Sequence, residues 1–161
     1  GRDAVWNADG SVNGGWASAD LNAYLNTRLY KAIPLQVRSL LKQVKVASWD
    51  GVPVTETAPF ELAYANCYIA IPALAEVAKD YNTGNYQTEI ESKNTISYLS
   101  NNAARKRARR DSSSFLRYYL RSPFIENTAT YNYVWSVYGD GNPGSYTTPS
   151  TEYGVLILIS F

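Results

Sequence analysis

"FLRYYLRSPFIENTATYNYVWSVYG", Phe115 to Gly139, is the stretch on which the fold turns. Its apolar residues recur with the two-residue period of a strand, not the 3.6-residue period of a helix. In "YNYVWSVY" the alternation sets Tyr131, Tyr133, Trp135 and Val137 on one face and Asn132, Val134, Ser136 and Tyr138 on the other. One face is expected in the core and the other partly exposed. The wider segment from Ser112 to Tyr153 holds seven tyrosines and no Lys, His, Cys or Met.

Outward from this segment, "FLRYYLRS" reads as a preceding strand and "YGVLILISF" as a closing one, with loops at Pro123, "GDGNPG" and Pro149. Arg121-Ser122-Pro123 is expected to fix a turn that presents the loop behind it. Leu120, Val134, Val137, Val155, Ile157 and Ile159 are expected as framework. "GDGNPG" is a turn: it lacks the spaced acidic ligands of a calcium loop and the lysine of a phosphate loop.

The first part of the chain has the other period. "SADLNAYLNTRLYKAI" places Leu21, Tyr24, Leu25 and Leu29 on one helical face, with Ser18 as N-cap and Pro34 as stop. A second helix is expected from Pro34, carrying Val37, Leu40, Leu41 and Val44 on one stripe. "VKVASWDGVPVTET" alternates and turns at Asp50-Gly51. "NCYIAIP" reads as a buried strand, and Pro72 opens a short helix through "ALAEVAKDY". "NTGNYQTEIESKNT" reads as loop, and "SNNAARKRARR" as a helix behind an Asn cap. Helices first and strands last make the class α+β.

Composition limits the chemistry. The 161 residues, 45% apolar and 18% charged, suit one folded domain spanning 1–161. The longest apolar runs are far short of a membrane span, and no signal-peptide pattern is present. The chain has no Met and opens on Gly1, so it is expected to be a segment, the C-terminal part, of a longer protein, or a processed chain. Without His, neither a Ser-His-Asp nor a Cys-His arrangement can be built, and with one cysteine neither can a disulfide framework or a zinc site. Cys67, inside "ANCYIAI", reads as a small core residue. Glu56, Glu61, Glu76, Glu89 and Glu91 read as surface charges. "RKRARR", Arg105 to Arg110, reads as a solvated helix end; a phosphate contact or a processing site are the alternatives. The net charge of +1 argues against a nucleic-acid partner. Neither an enzyme nor a cofactor is expected.

The tyrosine-rich segment has a different meaning. Tyr supplies large, rigid contact area with a polar tip, and Ser, Asn and Gly supply adaptable hydrogen bonds, as in antibody paratopes. The competing reading is that alternate tyrosines simply line a sheet.

Several phrases, in order, resemble a phage and prophage family of C-type-lectin-like domains, a domain of unknown function. They are "GGWASADLNAYLNTRLYKAIPLQVRSLLKQV", "CYIAIPALAEV", "SYLSNNAARKR", "FLRYYLRSP", "VWSVYGDG" and "GVLILISF". The resemblance covers Trp16 to Phe161. It departs where the family's paired tryptophans are Tyr118 and Tyr119, and where "GVRPA" reads "GVLIL" at Gly154–Leu158. The cysteine and metal machinery of formylglycine-generating enzymes, which share this scaffold, has no match here. The resemblance implies a C-type-lectin-like fold, two helices packed on small antiparallel sheets with long loops. It also brings in the variable proteins of diversity-generating retroelements, in which adenine-directed mutagenesis rewrites chosen codons. Trp135, Glu126 and Glu152 are not reachable from Asn codons in this way and would be fixed.

The resulting expectation is a receptor-recognition domain of a phage or archaeal-virus protein, displayed on a virion surface or outside a cell. Its contact face would be the exposed members of Ser114, Arg117, Tyr118, Tyr119, Arg121, Asn127, Tyr131, Asn132, Tyr133, Tyr138, Asp140, Asn142, Tyr146 and Tyr153. The expected partner is a protein or glycan receptor on a host or target cell. Membrane insertion is not expected, and any homo-oligomer would form through the parent protein. The alternatives are a calcium-independent lectin-like module of a bacterial surface protein and a purely structural virion protein.

Overall fold

The largest sheet forms in the C-terminal half, which supplies β-branched and aromatic residues at alternate positions. A computed structural model describes residues 4–52, 61–78, 95–108, 117–125 and 132–161. The expected loop "NTGNYQTEIESKNT" except its last residue, Thr95, and Glu56, Glu89, Glu91, Arg109 and Arg110, lie outside the described residues.

The strands are β1 (Val44–Trp49), β2 (Leu62–Cys67), β3 (Ile69–Ala70), β4 (Tyr118–Ile125), β5 (Asn132–Val137), β6 (Pro143–Thr147), β7 (Gly154–Val155) and β8 (Leu158–Ile159). They form a β1-β2 pair, a β3-β8 pair and a four-stranded sheet ordered β6-β5-β4-β7. All pairings are antiparallel except β4 with β7, which is parallel. With the helical segments ahead of most strands, the architecture is α+β.

The large sheet separates two apolar clusters. Trp6, Trp16, Leu21, Leu25, Trp49, Ile69, Tyr119 and Val134 belong to the first. Leu74, Val77, Leu99, Tyr118, Leu120, Trp135 and Val137 belong to the second. Successive side chains of β4 and β5 therefore enter opposite cores. The expectation of one buried and one exposed face fails here: Val134, Trp135, Ser136 and Val137 are all buried. Leu120, Val134 and Val137 are core as expected, whereas Ile157 and Ile159 are exposed. Cys67 is fully buried, and burial pushes its thiol pKa up.

The first helical face forms, but not as one regular helix. It comprises α1 (Gly15–Ser18), α2 (Asp20–Tyr24), a π-helical turn at Leu25–Leu29, and α3 (Tyr30–Ala32). Leu21 and Leu25 are buried; Tyr24 is 48% exposed. A π turn adds a residue and rotates the stripe, so Tyr30 and Ile33 join Leu29 against the first core. Ser18 ends α1 and does not cap α2. Asn7, from a distance, accepts the Asp20 N–H through Oδ1 at 2.7 Å.

The second expected helix shrinks to one turn, α4 (Leu35–Arg38), with Leu35 66% and Leu40 62% exposed. Val44 instead begins β1. The residues from Val37 onward fit a helical stripe, but Val44, Val46 and Ser48 also fit a strand, and pairing with β2 prevails. Arg121-Ser122-Pro123 is likewise no turn. It lies inside β4, across a register shift between Tyr119 and Pro123, with Arg121 and Ser122 buried. There the Ser122 hydroxyl accepts the Leu74 N–H at 2.9 Å and so caps α5 (Leu74–Val77) from another element.

Two further sequence features hold. Asn101 accepts the Ala104 N–H at 2.9 Å through Oδ1, capping α6 (Asn102–Ala108). The expected turn at "GDGNPG" forms between β5 and β6, with its last two residues, Pro143 and Gly144, already in β6.

Candidate functional site

The β5–β6 turn carries three of the expected contact residues, Tyr138, Asp140 and Asn142. Tyr138 N–H donates to the Asn142 carbonyl at 2.8 Å, and Gly141 N–H donates to the Tyr138 carbonyl at 2.9 Å. Asp140 accepts the Asn142 N–H at 2.9 Å and the Asn142 side-chain amide at 2.7 Å. Gly141 sits at φ +89°, and a side chain there would meet the Asn102 backbone, so only glycine closes this turn.

A buried arginine holds the turn from below. Arg105 Nε donates to the Gly141 carbonyl at 2.8 Å, and Nη1 donates to the carbonyls of Val77 at 2.7 Å and Leu99 at 3.0 Å. Its Nη2 reaches the Asn102 side-chain oxygen, and the Asn102 amide in turn donates to Asn142. Burial lowers the Arg105 pKa, with the neighbouring Tyr118 acting the other way. The expected solvated helix end is thus corrected at its first residue. Arg105 is a structural clamp between α6, α5 and the turn.

Above the turn lies an arginine held between two tyrosines. The Arg117 guanidinium is 3.8 Å from the Tyr138 ring centroid and 4.9 Å from that of Tyr153. Its Nη1 donates to the Tyr153 hydroxyl at 2.9 Å. Tyr138 can lie down because Gly144 has no side chain; a Cβ there would enter the Tyr138 ring. Tyr153 meets the Tyr119 ring edge-on at 5.4 Å. Tyr119 is itself buried, its hydroxyl donating to the Thr148 carbonyl at 2.8 Å and also reaching that of Thr151. The cluster therefore stands on the core rather than on a mobile surface.

Arg117, Tyr138, Asp140, Asn142 and Tyr153 come together at this end of the sheet, with Arg117, Tyr138 and Tyr153 half-buried and Asp140 and Asn142 exposed. Asn132 and Tyr133 lie at the opposite end of β5, about 17 Å away at ~3.3 Å per residue. Tyr118, Tyr119 and Arg121 leave the contact face altogether, since all three are at most 2% exposed. Alternation along β4 points one side of the strand outward, but both of its faces are covered. Ser114, Asn127 and Tyr131 lie outside the described residues; Tyr146 falls in β6, and its side chain lies outside them too.

Arg121 has a different role. Its Nε donates to the Ala47 carbonyl at 3.0 Å and Nη1 to the Ile71 carbonyl at 2.8 Å. Nη1 and Nη2 each reach the Glu76 carboxylate at 2.7 Å. Glu76, expected as a surface charge, is thus the partner of a buried guanidinium, and it also accepts the Ala73 N–H at 2.9 Å. Asn26 is a further residue that sequence reasoning does not single out. It accepts the N–H groups of Tyr68 and Ile69 at 2.8 and 3.0 Å and donates to the Ile69 carbonyl at 2.8 Å, pinning the β2–β3 bend. An asparagine beside the apolar face of the first helix is the available signal.

Among the described residues no group of three metal-ligating side chains gathers, and no helix is long and apolar enough to cross a membrane. A guanidinium stacked on aromatic rings keeps its N–H edge for a carboxylate or other oxygen acceptor.

Fold and site together define an α+β domain with an aromatic–arginine surface cluster. The chain belongs to the family DUF6273, a domain of unknown function, whose model matches residues 2–158. No curated protein and no solved structure matches it.

Proposed function

We propose that this domain is a non-catalytic ligand-binding domain, built on a C-type-lectin-like form of the α+β architecture, that recognises its partner through the β5–β6 end of the large sheet. The observation that carries the reading is the Arg117 guanidinium held between Tyr138 and Tyr153. A side chain fixed in this way has given up its rotamer freedom before a ligand arrives, so binding costs less entropy. The two rings add apolar area with hydroxyl tips, and Asp140 and Asn142 form an adaptable polar rim.

The partner class is a protein or glycan displayed on a cell surface, met from a virion or another extracellular particle. Diversification by a retroelement, carried by the sequence resemblance, is part of the proposal. Its natural targets are the exposed Asp140 and Asn142. Tyr118 and Tyr119 are core residues and would be kept.

The test is a screen of the purified domain on a glycan array and a cell-surface protein array, repeated with Arg117→Ala. A hit that weakens at least tenfold in the variant, the ~1.4 kcal/mol expected of an anchoring residue, supports the reading. A hit indifferent to Arg117 places recognition elsewhere. Sugar binding insensitive to a chelator favours the lectin-like alternative.

A further inference from the structure

A cleft of about 450 Å³ opens on another part of the molecule. Val44, Lys45, Val46 and Ala47 of β1 form one wall; Leu158, Ile159 and Ser160 form the other. The Arg121–Glu76 ion pair lies in its lining. The strands are tied at one point, where Lys42 N–H donates to the Ser160 carbonyl at 2.9 Å. Neither wall pairs with the other: β1 pairs with β2 and β8 with β3.

Alternation shows which backbone groups lie on these edges. Asp50 N–H donates to the Glu61 carbonyl, so in β1 the even-numbered residues bond across to β2. The odd-numbered ones, Lys45 and Ala47, turn their N–H and C=O groups the other way. The Ala47 carbonyl bears this out by accepting Arg121 Nε. On the other side, both backbone groups of Ile69 bond to Asn26, so Ala70 pairs with Leu158 and the backbone of Ile159 faces away from β3. Lys45 N–H and C=O, Ala47 N–H, and Ile159 N–H and C=O are thus edge groups with no partner among the described residues.

Charge at the cleft has one sign. Lys45 lines it and is exposed, with Nζ 4.2 Å from the Tyr64 ring centroid, and Lys42, whose N–H bonds the lining residue Ser160, is exposed beside it. Among the described residues the only acid lining the cleft, Glu76, is already neutralised by Arg121. We infer that this cleft is a second binding site, taking an extended acidic segment of a partner polypeptide that inserts as a strand between β1 and β8. Main-chain hydrogen bonds to Lys45, Ala47 and Ile159 supply the register, and the lysines select acidic side chains. The span of Val44–Ala47 admits about three or four peptide residues at ~3.3 Å each. The site is independent of the Arg117 cluster.

A fluorescent hexapeptide alternating Asp and Val, capped at both ends, is the probe, read by anisotropy with the whole domain. Saturable binding is expected, weakened at least tenfold by Lys45→Glu and by N-methylation of alternate peptide amides. Hydrogen exchange at the Lys45, Ala47 and Ile159 amides is expected to slow at least tenfold when the peptide is bound. The methylated peptide leaves the protein unaltered, so its loss of binding cannot be a folding defect. Absence of binding, equal binding of the methylated peptide, or exchange unchanged at these amides overturns the proposal. So does protection of the same amides by self-association, seen as concentration-dependent sedimentation without peptide.

Discussion

Replacing Glu76 by Ala should be far more damaging than removal of a surface charge. Arg121 is 2% exposed and the Glu76 side chain 16% exposed, with both guanidinium nitrogens 2.7 Å from the carboxylate. Breaking a buried pair by removing one partner costs roughly 3–5 kcal/mol, because the other charge stays desolvated and unpaired. The bonds from Arg121 to the Ile71 and Ala47 carbonyls persist, which favours the low end. Loss of the acceptor for Ala73 N–H adds about 1 kcal/mol. The expected total is about 3–4 kcal/mol, a large part of the ~5–15 kcal/mol that holds a typical domain together. Urea unfolding of Glu76→Ala, Arg121→Ala and the double variant measures it. A lower midpoint at unchanged slope and a coupling energy of about 2 kcal/mol or more are expected. A loss below ~1 kcal/mol with coupling near zero would mean a solvated pair, leaving Arg121 free for the contact face after all.

The two adjacent tyrosines of β4 should respond oppositely to loss of their hydroxyls. The Tyr118 hydroxyl is buried with no hydrogen-bond partner among the described residues, so Tyr118→Phe should be neutral or stabilising by up to ~1 kcal/mol. Tyr119→Phe strips the carbonyls of Thr148 and Thr151 of a donor and should cost about 1–3 kcal/mol by thermal or chemical unfolding. Alkaline stability follows from the same burial. Desolvation raises both phenol pKa values above the ordinary tyrosine range and raises that of Cys67 too. The unfolded chain therefore ionises first. Stability from these groups is fully present below their unfolded values, about 8.5 for the thiol and 10 for the phenols, and is lost as pH rises beyond them. Phenolate absorbance should show Tyr118 and Tyr119 titrating only with unfolding; ordinary titration of every tyrosine in the folded state would contradict it.

The parts legible in the sequence are those decided locally. The Asn101 cap, the β5–β6 turn, strands β4 and β5 and the buried Cys67 each rest on residues close in sequence, whereas the expected closing strand "YGVLILISF" divides into β7 and β8 in different sheets and β6 is not among the expected strands at all. The other parts depend on distant partners. Arg105, Arg121 and Glu76 look like surface charges because the groups that satisfy them come from other elements: the carbonyls of Val77, Gly141, Ile71 and Ala47, and each other. Period alone does not separate α4 from the start of β1, since Val37, Leu41 and Val44 fit a helix and Val44, Val46 and Ser48 fit a strand. Of the expected contact face, alternation assigns sides but does not count the layers above each side. A second core on the far face of the sheet therefore takes Tyr118 inward, while the first takes Tyr119.

The central claim, that the β5–β6 end of the sheet is a recognition surface, is tested most directly by paired display libraries. One is diversified at Arg117, Tyr138, Asp140 and Asn142, the other at Asn132 and Tyr133, and both are selected against the same unrelated target proteins. Folded, specific binders are expected from the first library and none from the second. Binders from the second alone, or a first library that folds and yields none, would contradict it.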